Sequence, residues 1–192
     1  MHYLRSFQVI LSVFAVTLLP FQISAQPEDI KGWNKARWGM SEREIENAFK
    51  GKVEHLREPI IDKQEGIYVK QEINDLTFAN TKFTVSFVMD DKANELREVV
   101  LTPKGSHFRV LFGILEKKLV TKYGPVTYRD KEDIDMQKLG KNGYGQDQIS
   151  RVWKFPSTLI TLEYWVYGMG SGKVEDGVTL IYKENVKSQG GR

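Results

Sequence analysis

The sequence predicts an α+β fold in which two units, each a helix followed by antiparallel strands, share one continuous sheet. Two segments carry apolar residues at helical spacing, and each ends at a glycine, Gly51 or Gly124. After each helical segment come short segments in which apolar and polar residues alternate, as they do in strands with one buried face. Polar turn residues separate these segments. This order of elements indicates α+β.

The first helix is predicted to begin after Ser41. Ser41 is a favourable N-cap residue, and Glu44, three residues later, completes a capping box. Met40 and Ile45 have the spacing of a hydrophobic staple across this helix start. Residues 26–35 form a leader before this helix. Trp38 lies between the leader and the cap, and we expect it to pin the leader onto the core, because large aromatic side chains are usually buried.

The strands of the first unit follow from alternation of apolar and polar residues. The pattern predicts strands over residues 67–73, 76–79, 83–89 and 96–102. Asn74 and Asp75 are a turn signal between the first two, and residues 90–94 form a polar turn. Since short turns join neighbouring strands, the pattern predicts an antiparallel meander.

The second unit opens with a helix predicted over residues 106–123, whose later turns carry lysines that complement the helix dipole. Residues 130–148 are predicted to be a long charged loop, and residues 168–177 a flexible connection. The predicted strands of this unit span residues 126–129, 149–155, 158–167 and 178–183.

The chain divides into four regions. Residues 1–25 have the short basic start, apolar run and small residue at the cut that are typical of a signal peptide. Residues 26–105 and 106–183 are the two predicted helix-plus-meander units, and residues 184–192 are expected to be a disordered tail. The units match weakly where their helices end, which favours a tandem duplication; any helix–glycine–strand junction would look similar, so both interpretations stay open.

The composition restricts the location and the classes of partner. The chain has no Cys, which rules out a thiol nucleophile, thiolate metal ligands and a lipid anchor on Cys. An exported chain without disulfides fits a bacterial periplasm. The net charge is only +3 and its signs alternate, so a nucleic-acid partner is not expected. After residues 1–25 the sequence has no second long apolar run, so a stable membrane span is not expected after signal cleavage.

Two segments resemble a known family. They read WGMSEREIENAF with Gly51, and LEKKLVTKYGPV at residues 115–126. In these segments and in its order of elements, the chain resembles the β-lactamase-inhibitor-protein fold and the related small outer-membrane assembly lipoproteins. The resemblance implies a tandem helix-plus-sheet repeat in an exported protein. It carries over no functional residue, and the missing Cys departs from the lipoprotein members.

The sequence predicts no catalytic residue, metal site or cofactor. Residues 168–173 read GMGSGK, but they lie between predicted strands and lack the first glycine of a phosphate loop. Residues 130–135 carry four carboxylates without the spacing of a calcium loop, so a solvated charged loop is favoured. His55 and His107 lie outside any metal-ligand pattern, and no nucleophile elbow is present. An enzyme is therefore not expected.

Aromatic residues near the C-terminus are the best candidates for a binding site. The segment 158–167 is apolar on both faces, unlike a strand with one watery face. The predicted ligand- or partner-binding residues are Trp153, Tyr164, Trp165 and Tyr167. Burial of this strand under a helix and a loop would explain the same pattern. The leading hypothesis is an exported, non-catalytic binding or assembly domain for an envelope protein or a small ligand. The alternatives are an envelope hydrolase that uses His55 or His107 and a purely structural periplasmic subunit.

Overall fold

The fold is α+β, as predicted. A computed structural model describes residues 28–135, 144–170 and 173–186. Within these ranges the chain forms, in order, β1 (Gly32–Trp33), β2 (Ala36–Arg37), α1 (Glu42–Ala48), β3 (Glu54–Asp62), β4 (Ile67–Phe78), β5 (Thr81–Asp90), β6 (Leu96–Pro103), α2 (Phe108–Tyr123), β7 (Tyr128–Arg129), β8 (Tyr144–Lys154), β9 (Thr158–Met169) and β10 (Val174–Glu184).

Eight of these strands form one antiparallel sheet in the order β3-β4-β5-β6-β10-β9-β8-β7. Each half of the sheet is a meander that follows one helix, and the halves meet where β6 pairs with β10. At this seam Leu101 lies opposite Leu180, and Glu98 lies opposite Lys183. The β1 and β2 strands form a separate small ribbon. The expected continuous sheet is therefore present.

Both helices cover the same face of the sheet. Phe49, the C-cap of α1, packs on Phe87 with ring centroids 5.5 Å apart, and Phe112 of α2 packs on Tyr164 at 6.2 Å. Paired residues on neighbouring strands point to the same face. On the helix-covered face, one row of cross-strand partners runs over four neighbouring strands and consists of Phe87, Val99, Tyr182 and Ile160. The core lies between this face and the helices, and neither helix packs on the opposite face.

The start of α1 has the predicted capping box. The backbone N–H of Ser41 donates to Oε2 of Glu44 at 2.8 Å, and the Ser41 hydroxyl donates to the same oxygen at 2.8 Å. These bonds lower the pKa of the Glu44 carboxyl. Beyond the C-cap, Gly51 has φ +72°, a left-handed conformation that glycine adopts without strain. The second helix also ends at its predicted glycine, Gly124.

Two predicted boundaries are wrong for a local reason. The turn predicted at Asn74 and Asp75 is a bulge inside the single strand β4, where Asp75 has φ +59° and the pairing with β5 shifts. The predicted connection at residues 168–177 is shorter, because β9 extends to Met169 and β10 begins at Val174. Turn residues were thus absorbed into long strands by pairing with their neighbours.

The predicted loop at residues 130–148 is also shorter than expected. Strand β8 begins at Tyr144 and pairs with β9 along its whole length, so residues 144–148 are strand. Residues 136–143 of the predicted loop lie outside the described residues, as do the predicted signal peptide and most of the predicted tail.

Candidate functional site

The alternation of β8 and β9 separates the four predicted aromatic residues onto two faces. Trp153 and Tyr164 lie on the helix-covered face. Trp153 is 1% exposed, and its indole Nε1 donates to the carbonyl oxygen of Gly124 at 2.9 Å. Tyr164 is buried against Phe112 of α2. These two side chains belong to the core and cannot reach a partner at the surface.

Trp165 and Tyr167 lie on the opposite face, where they form an aromatic patch. Their ring centroids are 5.1 Å apart, and Tyr167 is 44% exposed. Gln148 and Gln146 lie opposite them on β8. Together the four side chains line a shallow hollow of about 300 Å³. The structure thus brings together two of the four predicted residues and adds two glutamines that the sequence pattern did not single out.

Gly177 positions the larger ring of this aromatic patch. It lies opposite Trp165 on β10, and a Cβ atom added to it would be 2.2 Å from Cζ2 of the indole. The indole Nε1 also lies 3.4 Å from Oγ1 of Thr179. The Trp165 ring therefore lies close to Gly177, where β10 has no side chain. Glycine within a strand often marks such a close approach.

A carboxylate lies on the same face, one alternate position from Trp165. Burial raises the pKa of Glu163, and the nearby Glu98 carboxylate raises it further. No cation offsets these effects in the part of the chain that the structure describes. Glu98 itself pairs with Lys183, whose Nζ is 3.3 Å from Oε2. The face beside the aromatic patch is thus acidic at Glu163.

A cavity of about 730 Å³ opens on the helix-covered side of the molecule. The leader, the end of β4 and the C-terminal half of α2 surround it. We call it the helix-side cavity. Its apolar and aromatic lining consists of Ile30, Trp33, Leu76, Phe78, Leu101, Leu119, Tyr123, Leu180 and Tyr182, and its lining cations are Lys31, Arg37, Lys118 and Lys122. The cations are exposed and most of the apolar residues are buried, so the cations lie at the mouth.

Two tyrosine hydroxyls and the Asp29 carboxylate at the helix-side cavity have hydrogen-bond partners. The hydroxyls of Tyr123 and Tyr182 are 3.3 Å apart, and burial, followed by the proximity of Tyr123, raises the pKa of Tyr182 well above its ordinary value. Asp29 accepts hydrogen bonds from the backbone N–H and the hydroxyl of Ser157 at 2.9 and 2.7 Å. The bond from the hydroxyl is the main reason why the pKa of Asp29 is lowered.

A buried ion-pair network holds part of the charged segment at residues 130–135. Arg151 is 2% exposed; its Nε lies 3.0 Å from Oε1 of Glu116, and its Nη2 lies 3.1 Å from Oε2 of Glu132. It also donates to the backbone carbonyl of Lys131 at 2.8 Å. Lys131 in turn pairs with the buried Asp147. This part of the segment is therefore held against α2 and β8 at Lys131 and Glu132, while its four carboxylate residues are exposed, as expected for a solvated loop.

Each histidine considered for catalysis lies in an ion pair or at a helix cap. His55 pairs with Glu46 of α1 at 2.9 Å, and His107 is the N-cap of α2. Among the described residues, no cluster of His, Asp and Glu could hold a metal ion. The GMGSGK segment joins two strands, with residues 171–172 outside the described ranges.

Comparison with known proteins identifies no relative. The chain matches no family model, and neither a curated protein nor a solved structure matches it. The fold and the two surfaces therefore define only a class, an α+β protein with one antiparallel sheet and helices on one face. Within the described ranges, no helix has the length and apolar character needed to cross a membrane.

Proposed function

We propose that the protein is an exported, non-catalytic binding or assembly domain of the bacterial periplasm, and that a protein partner docks on the aromatic patch. One observation carries this proposal: Trp165 and Tyr167 are in contact with each other on the face that neither helix covers, with Tyr167 44% exposed. Trp and Tyr are enriched among the residues that contribute most to protein–protein binding.

The geometry of the patch favours a protein over a small ligand. The hollow beside the rings measures only about 300 Å³, the lower limit for small-molecule pockets. The surrounding sheet face offers a much wider surface, and Glu163 on it has no cationic partner among the described residues. A partner that places a Lys or Arg near Glu163 would gain a charge-assisted hydrogen bond there, so we expect a partner with a basic contact surface.

The order of elements supports a tandem duplication as part of the same proposal. Helix α1 precedes the meander β3–β6, helix α2 precedes the meander β7–β10, and each meander contributes its last strand to the seam. The proposed relation to the β-lactamase-inhibitor-protein fold and the small outer-membrane assembly proteins rests on this arrangement together with the two sequence segments that resemble them.

Affinity purification tests the proposed docking surface. The full chain, tagged at its C-terminus, is exported in its native host, and the proteins that co-purify are identified. We expect Trp165→Ala combined with Tyr167→Ala to remove a specific partner. Ile61→Ala is the control, because Ile61 is also an exposed apolar strand residue but lies on β3, at the far edge of the sheet.

Each outcome of the purification bears on the proposal. Loss of one partner in the double variant, with that partner retained by Ile61→Ala and with unchanged thermal unfolding, supports it. An unchanged set of partners in the double variant contradicts it. Glu163→Lys should also weaken capture of the same partner, since it would place a cation against the expected basic surface.

A further inference from the structure

The helix-side cavity is a second candidate site, independent of the aromatic patch. It lies on the helix-covered side of the sheet, whereas Trp165 and Tyr167 lie on the other side. Its volume of about 730 Å³ falls within the range of small-molecule sites. Its lining joins the segment at residues 28–37, the end of β4, the central strands and α2.

The floor of the cavity is suited to a hydrocarbon chain. Leu101 and Leu180 face each other across the central seam, and Leu119 of α2 adjoins them in the lining. All three are almost fully buried. The apolar surface that a ligand chain can reach comes from the half-buried Leu76 and Phe78 in the same lining. A hydrocarbon chain laid against them would lose its contact with water.

The mouth of the cavity is suited to an anion. Lys118 and Lys122 lie one turn apart on α2, and Lys31 comes from the leader. The lining holds four cations against two carboxylates, those of Glu28 and Asp29. Lys118 forms no ion pair within the part of the chain that the structure describes. The cationic excess at the mouth is therefore available to a ligand.

The geometry points to a fatty acid as the occupant, with its chain against Leu76 and Phe78 and its carboxylate at Lys118 and Lys122. An apolar floor below a cationic mouth matches a molecule with one hydrocarbon chain and one anionic head. The Tyr123 and Tyr182 hydroxyls share one hydrogen bond, which leaves one hydroxyl hydrogen of the pair able to donate to an acceptor. The exported domain thus carries a fatty-acid site as well as a docking surface.

Titration calorimetry with the delipidated full chain tests this site. The probes are octanoate, decanoate, dodecanoate and dodecanol, with each fatty acid kept below its micelle concentration and dodecanol below its solubility limit. We expect saturable binding of one fatty acid per chain, with the dissociation constant falling roughly fourfold for each added methylene. Dodecanol should bind roughly tenfold more weakly than dodecanoate, because it brings no charge to the mouth. No saturable binding, or equal affinity for all chain lengths, would overturn the proposal.

A matched pair of variants locates the binding. Lys118→Glu should weaken dodecanoate binding by roughly tenfold and leave dodecanol binding unchanged. Lys117→Glu is the control, since Lys117 is the exposed neighbour on the same helix and does not line the cavity. Equal weakening by the two substitutions would mean a general charge effect and would contradict the site. Both substitutions lie on the surface, so folding should be preserved.

A spectroscopic measurement provides a second test of position. Trp33 lines the cavity, so a brominated dodecanoate bound there should quench its fluorescence. Trp33→Phe should remove that part of the quenching. Quenching that persists in full in this variant would place the ligand elsewhere. The Trp165→Ala and Tyr167→Ala double variant should bind dodecanoate normally, so this proposal can fail or succeed separately from the proposed docking surface.

Discussion

The indole Nε1 of Trp38 donates a hydrogen bond to Oγ1 of Thr158, 2.8 Å away, and so joins the leader to the first residue of β9. The same hydroxyl donates to the backbone carbonyl of Ile30. Thr158 is completely buried. One side chain of the second half of the sheet therefore fixes the leader at two points, and Trp38 pins the leader to the core as its position in the sequence predicted.

Replacing this hydroxyl should destabilise the protein more than replacing the indole. Thr158→Val leaves both the Ile30 carbonyl and the Trp38 N–H without their partner, and we expect a loss of about 1–3 kcal/mol in the free energy of unfolding. Trp38→Phe removes only one hydrogen-bond donor, so the lost hydrogen bonding should lower the free energy of unfolding by less than in Thr158→Val. Thr158→Ser retains the hydroxyl and is the control. Urea unfolding measures all three, and a Val variant as stable as the Ser variant would contradict the expected role.

Removing the buried guanidinium of Arg151 should be strongly destabilising. Arg151→Ala leaves the largely buried Glu116 with Arg129, 2.7 Å away, as its remaining partner, and we expect a loss of about 1–3 kcal/mol. Arg97→Ala breaks a partly exposed pair with Asp90 at 2.8 Å and should cost about 0–1 kcal/mol. Thermal or urea unfolding distinguishes the two. Similar losses in both variants would show that the Arg151 network contributes little.

A methyl group at Gly177 should disturb the aromatic patch. Gly177→Ala places a Cβ within 2.2 Å of the Trp165 ring, and the ring must move, at an expected cost of about 1–3 kcal/mol. Gly113→Ala is the opposite control, because a Cβ at this position in α2 meets no atom within 4 Å. It should stabilise the protein by about 0.5–1 kcal/mol. A shift in tryptophan fluorescence in the Gly177 variant alone would report the displaced ring.

The pH dependence of stability should identify Glu163. Because the folded chain raises the pKa of this carboxyl above its ordinary value of 4.5, the folded state retains the proton to higher pH than the unfolded state. The associated stability is complete below the ordinary pKa and is lost as the pH rises through the raised pKa. Glu163→Gln should therefore match the wild type under acidic conditions and exceed its stability at neutral pH.

A matched variant isolates this effect. Glu175→Gln removes an exposed carboxylate from the neighbouring strand β10. Thermal unfolding of this variant over the same pH range gives the reference for an exposed carboxylate. If Glu163→Gln gave the same pH profile as Glu175→Gln, burial of the Glu163 carboxyl would not be coupled to folding.

Local signals predicted the helices well, because their information is contained in a few consecutive residues. Ser41 with Glu44 marks the start of α1, and Gly124 marks the end of α2. The strand ends were harder, because pairing with a neighbour extended β4 through Asp75 and extended β9 to Met169. A turn signal shows only that a residue can adopt the backbone conformation of a turn. The hydrogen bonds between adjacent strands decide whether a turn forms there.

The candidate sites were predicted only in part, for a related reason. Alternation along β9 placed Tyr164 and Trp165 on opposite faces, but the sequence did not show which face the helices cover. The helix-side cavity was not predicted at all. Its cations, Lys31 and Lys118, are distant in sequence and meet only because the leader folds back toward α2. Lysines near a helix end are also explained by the helix dipole, so no sequence signal distinguished them.

The seam between β6 and β10 also has a kinetic consequence. Every other neighbouring pair in the large sheet joins strands that follow one another in the chain, whereas this pair joins strands separated by a helix and three further strands. Closing such a long loop costs more entropy than forming a hairpin, and non-local pairing slows folding. We therefore expect each meander to form early and the joining of the two half-sheets to limit the folding rate, so that substitutions at Leu101 or Leu180 would slow refolding more than substitutions within either meander.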